Sequence, residues 1–489
     1  MRKKLQKIFK RTYSRVFLAL VTAIAVLPIR SSVLAEEGPV FVRVSPRDPR
    51  YFELSDGSPY IPIGLNMIHP QWNATGEQGL AQMDAWMKRL SENRGNFIRV
   101  WLSHHFWDIE HARSGEYDLE KAERIDSLLA TARLYGLRVK MTLEHFRNFD
   151  DKRGFGKSIH HVSQGGPAEN VTDFFTGARS REQFKNKLNW YAQRYGSDPI
   201  IFAWELWNEM NCVRGQGWDQ WTGEMLAELH RRFPKNLAIQ SLGSFDNDRI
   251  RQWYRLVCSI PGNDIGQVHR YLDLGASLQV CHGPVDVLTA DAVRELQAFG
   301  LRKPILLAEG GAVEPSHSGP FKLYEKDEAG IILHDVLFAP FFAGAAGPGQ
   351  IWHWDRYVDK QNLWHHYGRF AEAVKGLDPP GESFEPTQLP HPLLRIYVLK
   401  GKRTLLAWCR DTRNTWRSEL QEGKAPQLVR GVKLDFNKVV GTLQRAKVRV
   451  YNPWLDLWTR PVNIQESKVT LPDFTRSVVI KIECKAEKN

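Results

Sequence analysis

Between residues 60 and 377 the chain alternates short apolar runs with longer amphipathic stretches, and this rhythm restricts the possible folds more than any other feature. The strand-like runs are 60–66, 96–102, 137–144, 200–208, 237–242, 265–269, 304–309 and 349–354. Between them, 79–90, 119–135, 181–195, 220–232, 290–299 and 325–338 repeat apolar residues at intervals of three and four, as helices packing one face do. Eight strands alternating with helices predict an α/β chain of the (β/α)8 TIM-barrel class over residues 59–380. A doubly wound open sheet is the competing arrangement, but no Gly-rich dinucleotide fingerprint follows the first run.

The flanks read differently. Residues 36–58 alternate Val40, Val42 and Val44 and turn at Asp56-Gly57, which predicts a β-hairpin before the barrel. The stretch from Asp378 to Gly381, with Pro386, Pro390 and Pro392, reads as a linker. Beyond it, residues 384–489 alternate like strands and predict a small C-terminal all-β sandwich. The interval 145–180 exceeds an ordinary βα connection, and its Gly154, Gly156, Gly165, Gly166 and Pro167 are loop chemistry, so it is expected to wall a cleft.

The charge balance needs the same positional reading. A net charge of +12 invites a polyanion partner, but residues 1–35 hold eight Lys/Arg and no acid. That segment is basic to Arg15, apolar over 16–27 and ends Val33-Leu34-Ala35, the pattern of a secretory signal peptide cleaved after Ala35. The expected setting is therefore secreted, periplasmic or at the cell surface, with membrane contact through this segment only and no nucleic-acid partner. Five cysteines are too few for a disulfide scaffold, and a Cys409–Cys484 bridge is an open expectation.

Two strand ends carry the chemistry. The run Ile201-Phe-Ala-Trp-Glu-Leu-Trp ends in Asn208 and Glu209, and Pro304-Ile-Leu-Leu-Ala ends in Glu309. The glutamates are 100 residues apart, three βα units, so strands four and seven would hold them face to face across the barrel mouth. Facing carboxyl groups suit glycosidic-bond cleavage: one protonates the leaving oxygen while the other attacks the anomeric carbon or activates water. Glu205 shares strand parity with Glu209 and is expected to point into the barrel at a lower level.

With these motifs the chain resembles the retaining (β/α)8 glycosidases of clan A, and glycoside hydrolase family 5 in particular. Trp-Glu-Leu-Trp-Asn208-Glu209 is similar to the clan's acid/base motif, and Leu-Leu-Ala-Glu309 to its nucleophile motif. The resemblance implies further substrate-binding positions: Arg99 beside the nucleophile, His145 after strand three, His269 and Tyr271 as the family's His-x-Tyr, and Trp352 or Trp354 as sugar platform. It implies that Asn208 contacts the sugar 2-hydroxyl, and that charge on Glu309 holds Glu209 protonated near neutrality. Asp173-Phe-Phe-Thr176 through Ser197-Asp-Pro-Ile200 resembles the β-mannanases of the family. Met210 stands where the clan has proline, and Gly310-Gly311 replaces its Phe-Gly, so mannan, glucan and other β-linked polymers remain open.

Other chemistries lack their motifs. The pairs His104-His105, His160-His161 and His365-His366 lack metal-ligand spacing, and there is no His-Glu-x-x-His, phosphate-binding loop or Gly-x-Ser-x-Gly elbow. No metal or cofactor is expected. A non-catalytic sugar-binding barrel, an inverting enzyme and a transglycosylase are the alternatives on the same scaffold.

Overall fold

The structure, a computed structural model, describes residues 39–489 apart from 147–148, 151, 153, 197, 441–445, 465–466 and 485–489. The expected signal segment lies outside the described residues. Among those described, no helix is long and apolar enough to cross a membrane.

The N-terminal hairpin is a three-stranded antiparallel sheet of β1 (Val42–Val44), β2 (Phe52–Leu54) and β3 (Pro59–Tyr60). The parallel strands that follow are β4 (Gly64–Asn66), β5 (Phe97–Trp101), β6 (Arg138–His145), β7 (Ile201–Asn208), β8 (Leu237–Ile239), β9 (Gly266–Leu272) and β10 (Ile305–Ala312). Order is sequential from β4 to β8, and β9 pairs with β10. Single bonds span β8 to β9, from Asp264 N–H to Ala238 O (3.0 Å) and from Phe245 N–H to His269 O (2.8 Å).

The eighth run closes the barrel without becoming a regular strand. Ile351 forms a single parallel bridge with Gly310, and Asn66 N–H donates to Ile351 O at 3.2 Å. The chain then turns into a π-helical segment, Trp354–Asp359. Around the barrel lie α1 (Gly76–Glu92), α2 (Leu119–Leu134), α3 (Val171–Thr176), α4 (Ala178–Tyr195), α5 (Trp218–Arg232), α6 (Arg251–Ser259), α7 (Val285–Gln297), α8 (Ile331–Phe342) and α9 (His365–Ala373). The long 145–180 connection carries α3, and its Phe149, Phe174 and Phe175 pack against Trp207 on the outer side of β7.

The expected linker is ordered. Pro379–Glu382 is a helical turn, and Glu385–Leu389 is edge strand β11, where Pro386 is tolerated. It begins an antiparallel sheet with β12 (Leu394–Lys400), β13 (Thr404–Asp411), β19 (Ser477–Cys484) and β15 (Ala446–Asn452); short strands β16 (Leu457–Trp458) and β17 (Val462–Asn463) pair with β15. A two-stranded sheet of β14 (Lys433–Asp435) and β18 (Lys468–Thr470) contributes Leu434 and Val469 to the core on one face of this sheet. The other face joins the barrel: Tyr397, Leu406, Trp408 and Val479 belong to the barrel core. Wedged between sheet and barrel, α8 is buried on every side, which is why it lacks a polar face. The Cys409–Cys484 bridge is ruled out by register. Cys409 lies opposite Val478, six residues along β19 from Cys484, or roughly 20 Å at strand rise, against a Cα reach below about 7 Å for a disulfide. Cys409 is a free, buried thiol.

Candidate active site

Arg99, wholly buried on β5, organises the barrel mouth. Its Nε donates to Glu205 Oε2 (2.8 Å), Nη2 to Asn208 Oδ1 (2.7 Å), and Nη1 to Glu309 Oε1 and to Asn66 Oδ1 (3.2 Å). Glu309 Oε2 accepts from Tyr271 Oη at 2.7 Å. The ladder between β9 and β10 slips between Leu307 and Glu309, a bulge that re-aims the carboxylate. Asn66 Nδ2 caps this bulge by donating to Ala308 O at 3.1 Å.

Strand β7 departs from simple alternation. Glu205 and Asn208 both reach Arg99 inside the barrel, whereas Trp204 and Trp207 both pack outward, on Phe233 and on Trp221. An odd spacing of three on one face means that the pleat slips within 205–208, so parity does not place Glu209. A left-handed turn does: Glu209 has φ 56° and ψ 53°, rare for a residue with a Cβ and characteristic of functional sites. Ser241 pins this turn, its hydroxyl accepting from Glu209 N–H (3.3 Å) and its carbonyl from Met210 N–H (3.2 Å).

His269 Nδ1 lies 2.9 Å from Glu209 Oε1 and 3.4 Å from Glu309 Oε2. Facing oxygens of Glu209 and Glu309 come within 4.8 Å. Burial pushes the Glu209 carboxyl up to about 7, with the charges of His317 and Arg99 opposing and those of Asp246 and Glu205 reinforcing. Desolvation therefore leads, where the sequence reading assigned the shift to Glu309. Burial also drives the His269 imidazole down to about 4, so at neutral pH it is uncharged beside Glu209. For Glu205, burial pulls upward but Arg99 and Lys140, with the Ser241 and Thr142 hydroxyls, overcome it and hold the group at about 2. One acid is thus kept protonated near neutrality and another kept ionised beneath it.

The remaining expected residues divide. His145 pairs in register with Asn208, its Nδ1 lies 2.7 Å from Ser103 Oγ, and its ring stacks on Trp101 at 5.1 Å. Trp352 is half-buried and 5.1 Å from Trp101, ring to ring. Trp354 does not share that surface. It is 4% exposed, edge-on to His69 and Trp86, and packs the barrel wall. Glu209, His269 and Glu309, and also Asp246, Asp273 and His317, have the spacing of metal ligands. Their atoms already engage protein partners, with Tyr271 and Arg99 on Glu309 and His317 on Asp273.

The cellulase family profile (glycosyl hydrolase family 5) matches residues 57–314, more than half of the chain and all of this site except Trp352. The chain belongs to glycosyl hydrolase family 5. As a family 5 protein it is an O-glycosyl hydrolase acting on β-glycosides, with carbohydrate as its substrate. It is 26% identical over 327 residues to "Mannan endo-1,4-beta-mannosidase 7" of Arabidopsis thaliana, covering 60% of this chain and 73% of the relative. It is 24% identical over 386 residues to "Putative mannan endo-1,4-beta-mannosidase 9" of Oryza sativa subsp. japonica, covering 72% and 91%. Solved folds agree: a putative glycoside hydrolase from Bacteroides vulgatus superposes with TM-score 0.58 at 14% identity over 91% of this chain and 82% of that one. The endo-beta-1,4-mannanase from Thermotoga petrophila gives 0.50 at 15% over 87% and 98%.

Several residues of this family 5 site escaped sequence reasoning. Asn66 ends the first strand run, but only tertiary structure puts it under Glu309. Lys140, Thr142 and Gln267 fill the barrel floor beneath Arg99, with Lys140 Nζ 2.7 Å from Gln267 Oε1. The Gly310-Gly311 departure has a steric cause: Gly311 has φ 126°, and a Cβ there would lie 2.7 Å from the Tyr324 hydroxyl.

Proposed function

We propose that this chain is a secreted, retaining β-glycan hydrolase of mannanase type, with Glu209 as acid/base and Glu309 as nucleophile. The observation that carries the reading is the pair of unequal carboxyls. Facing oxygens less than 4.8 Å apart favour the close carboxyl pair, about 5–5.5 Å, used for double displacement over the roughly 6.5–9.5 Å that leaves room for an inverting water. Their surroundings match the roles. Glu209, shifted to about 7, holds the proton that the leaving oxygen needs. Glu309 accepts from Arg99 at Oε1 and from Tyr271 at Oε2, which orient its carboxylate for attack on the anomeric carbon.

In the first step Glu309 forms an ester to the sugar while Glu209 donates its proton and the aglycone leaves. In the second, Glu209 takes a proton from water, whose oxygen attacks the anomeric carbon and frees Glu309. Asn208, held by Arg99 through its Oδ1, keeps its amide N–H2 for the sugar 2-hydroxyl. Trp352 offers a ring face, and His145 edges the same surface beside Trp101. Mannan is favoured among β-glycans by the Asp173–Ile200 resemblance and by the names of the plant relatives. Export through residues 1–35 completes the proposal.

A panel of β-mannan, glucomannan, β-glucan, xylan and cellulose, digested by wild type and by Glu309→Gln, tests it. The expected result is release of manno-oligosaccharides by wild type alone. Full activity in Glu309→Gln would overturn the nucleophile, and digestion of glucan without mannan would overturn the substrate.

A further inference from the structure

A second hydrogen-bonded chain crosses the barrel mouth outside the two-carboxylate site. Asp273 follows β9 and is 1% exposed. Its Oδ1 accepts from the backbone N–H groups of Gly275 (2.7 Å) and Ser316 (2.9 Å), and its Oδ2 lies 2.9 Å from His317 Nδ1. On the other side of the ring, His317 Nε2 lies 2.9 Å from the hydroxyl of Ser244, in the loop after β8. The three residues come from three successive strand-end loops, on the face where barrel enzymes carry out their chemistry. A carboxylate only accepts, so Asp273 holds the proton of the neutral ring on Nδ1 and leaves Nε2 to accept from Ser244.

The local backbone is shaped to present this ring. Ser316 and His317, in the loop after β10, are both left-handed, with φ 59° and 57°. Two such residues in succession are strained and persist only where their neighbours over-determine them. Gly275 permits the close approach, because a Cβ there would lie 2.5 Å from Ser316 N. The His317 ring meets Tyr271 edge-on at 5.2 Å and is near enough to Glu209 for its charge to act on that carboxyl. Ser244 is half-buried and His317 is exposed, so a substrate in the mouth can reach both. Asn211 Oδ1 accepts from Gly243 N–H at 2.6 Å, which leaves the Asn211 Nδ2 donors beside the Ser244 loop.

We propose that Ser244, His317 and Asp273 form a second catalytic centre, a serine esterase that removes acyl groups from sugar hydroxyls at the barrel mouth. Ser244 Oγ bonds to the ester carbonyl carbon while its proton passes to His317 Nε2, and the tetrahedral oxyanion accepts from Asn211 Nδ2. The bond from that carbon to the sugar oxygen then breaks, the sugar oxygen takes the proton from His317, and an acyl ester of Ser244 remains. Water adds to this ester and gives a proton to His317. The carboxylic acid leaves as that proton returns to Ser244, and Asp273 orients the ring throughout. Only water is consumed. The centre takes from the reading above nothing but the β-glycan that carries the ester. Its serine stands in no Gly-x-Ser-x-Gly elbow, and its members lie in separate loops, so only the folded chain shows it.

O-Acetylated glucomannan, assayed for released acetate in the Glu309→Gln background, separates this step from glycan cleavage. Protein with Ser244 intact should release acetate, and Ser244→Ala or His317→Ala should lower kcat/KM by about 10²–10⁴-fold. A fluorophosphonate, which reacts with activated serines, should label Ser244 in wild type, as located by peptide mass spectrometry, and leave it unlabelled in His317→Ala. Acetate release that survives Ser244→Ala overturns the proposal, as does wild type that neither releases acetate nor takes the label. Loss of release in EDTA also overturns it, because Asp246, Asp273 and His317 have the spacing of metal ligands and a metal-bound water would then be the nucleophile. If wild type leaves deacetylated mannan intact, the hydrolase reading fails while the label and the acetate still decide Ser244.

Discussion

At the seam between barrel and C-terminal sheet, buried Arg410 and partly buried Arg395 each face one aspartate. Arg410 Nε donates to Asp335 Oδ1 at 2.8 Å, and Arg395 Nη2 to Asp286 Oδ1 at 2.9 Å, with Tyr397 Oη on the same aspartate at 3.0 Å. At the barrel mouth one arginine, Arg99, serves Glu205, Glu309 and Asn208, and Glu209 is left beside an uncharged histidine. The parts are the same and the pairing differs. One-to-one pairing locks two layers together, and a buried pair tolerates loss of neither partner. Lys140 joins Arg99 at Glu205, and Glu209, buried with only an uncharged histidine against it, keeps its proton. Burial raises the carboxyl in both places, and pairing separates them in degree: Asp335 keeps a guanidinium against it, and Glu209 does not.

The widest separation of the two regions should come from Glu209→Ala. Removing the acid/base is expected to lower kcat/KM by about 10²–10⁴-fold on glycosides with poor leaving groups. Dinitrophenyl glycosides, which need no proton, should lose far less in the glycosylation step. Azide should restore turnover and yield a β-glycosyl azide, and absence of rescue would break the assignment. Arg410→Met should do the reverse. Leaving Asp335 buried without its cation is expected to cost about 3–5 kcal/mol in denaturant unfolding, with the pH–rate profile unmoved. A shifted profile would mean that the seam and the mouth are not separate systems.

Titration sharpens the contrast. Because Glu209 is raised in the folded state to about 7, the fold binds its proton more tightly than the unfolded chain does. Its contribution is therefore fully present below the ordinary carboxylate range and declines as pH rises towards 7. Glu209→Gln should remove that decline and stabilise the protein at pH 8 relative to wild type, by up to about 3 kcal/mol. Glu205, held at about 2, acts with the opposite sign: its stabilisation is present above the ordinary range and disappears as pH falls towards 2. The same proton on Glu209 should place the alkaline limb of kcat/KM near 7. The smallest effects belong to the tryptophans. Trp352→Ala should raise KM several-fold with little loss of stability, whereas Trp354→Ala should cost about 3–5 kcal/mol of stability, as buried aromatic truncations do.

Much of this was legible because barrel strands announce themselves as apolar runs, and because a polar residue at the end of such a run has nowhere to go but the rim. Glu209, Glu309 and Arg99 were visible on that ground. The eighth strand was less so: Trp352 and Trp354 share parity, but the turn into the π-helical segment at Trp354 sends one ring to the mouth and the other into the wall. Strand parity also failed at 205–208, where a slipped pleat and a left-handed residue, neither written in hydrophobic periodicity, bring Asn208 and Glu209 together. Asn66 was invisible because its value lies in a bulge on a strand 242 residues away. The C-terminal strands read correctly as strands, but proline-rich composition suggested a free linker where the chain makes an edge strand seated on the barrel.

The stereochemistry of the first-formed product tests the central claim most directly. Proton NMR of early hydrolysis in deuterated water should show the new reducing end appearing as the β-anomer and mutarotating afterwards, the outcome of two displacements at carboxyls this close. Initial appearance of the α-anomer would contradict the account, because it requires a single displacement by water and a role for Glu309 other than nucleophile.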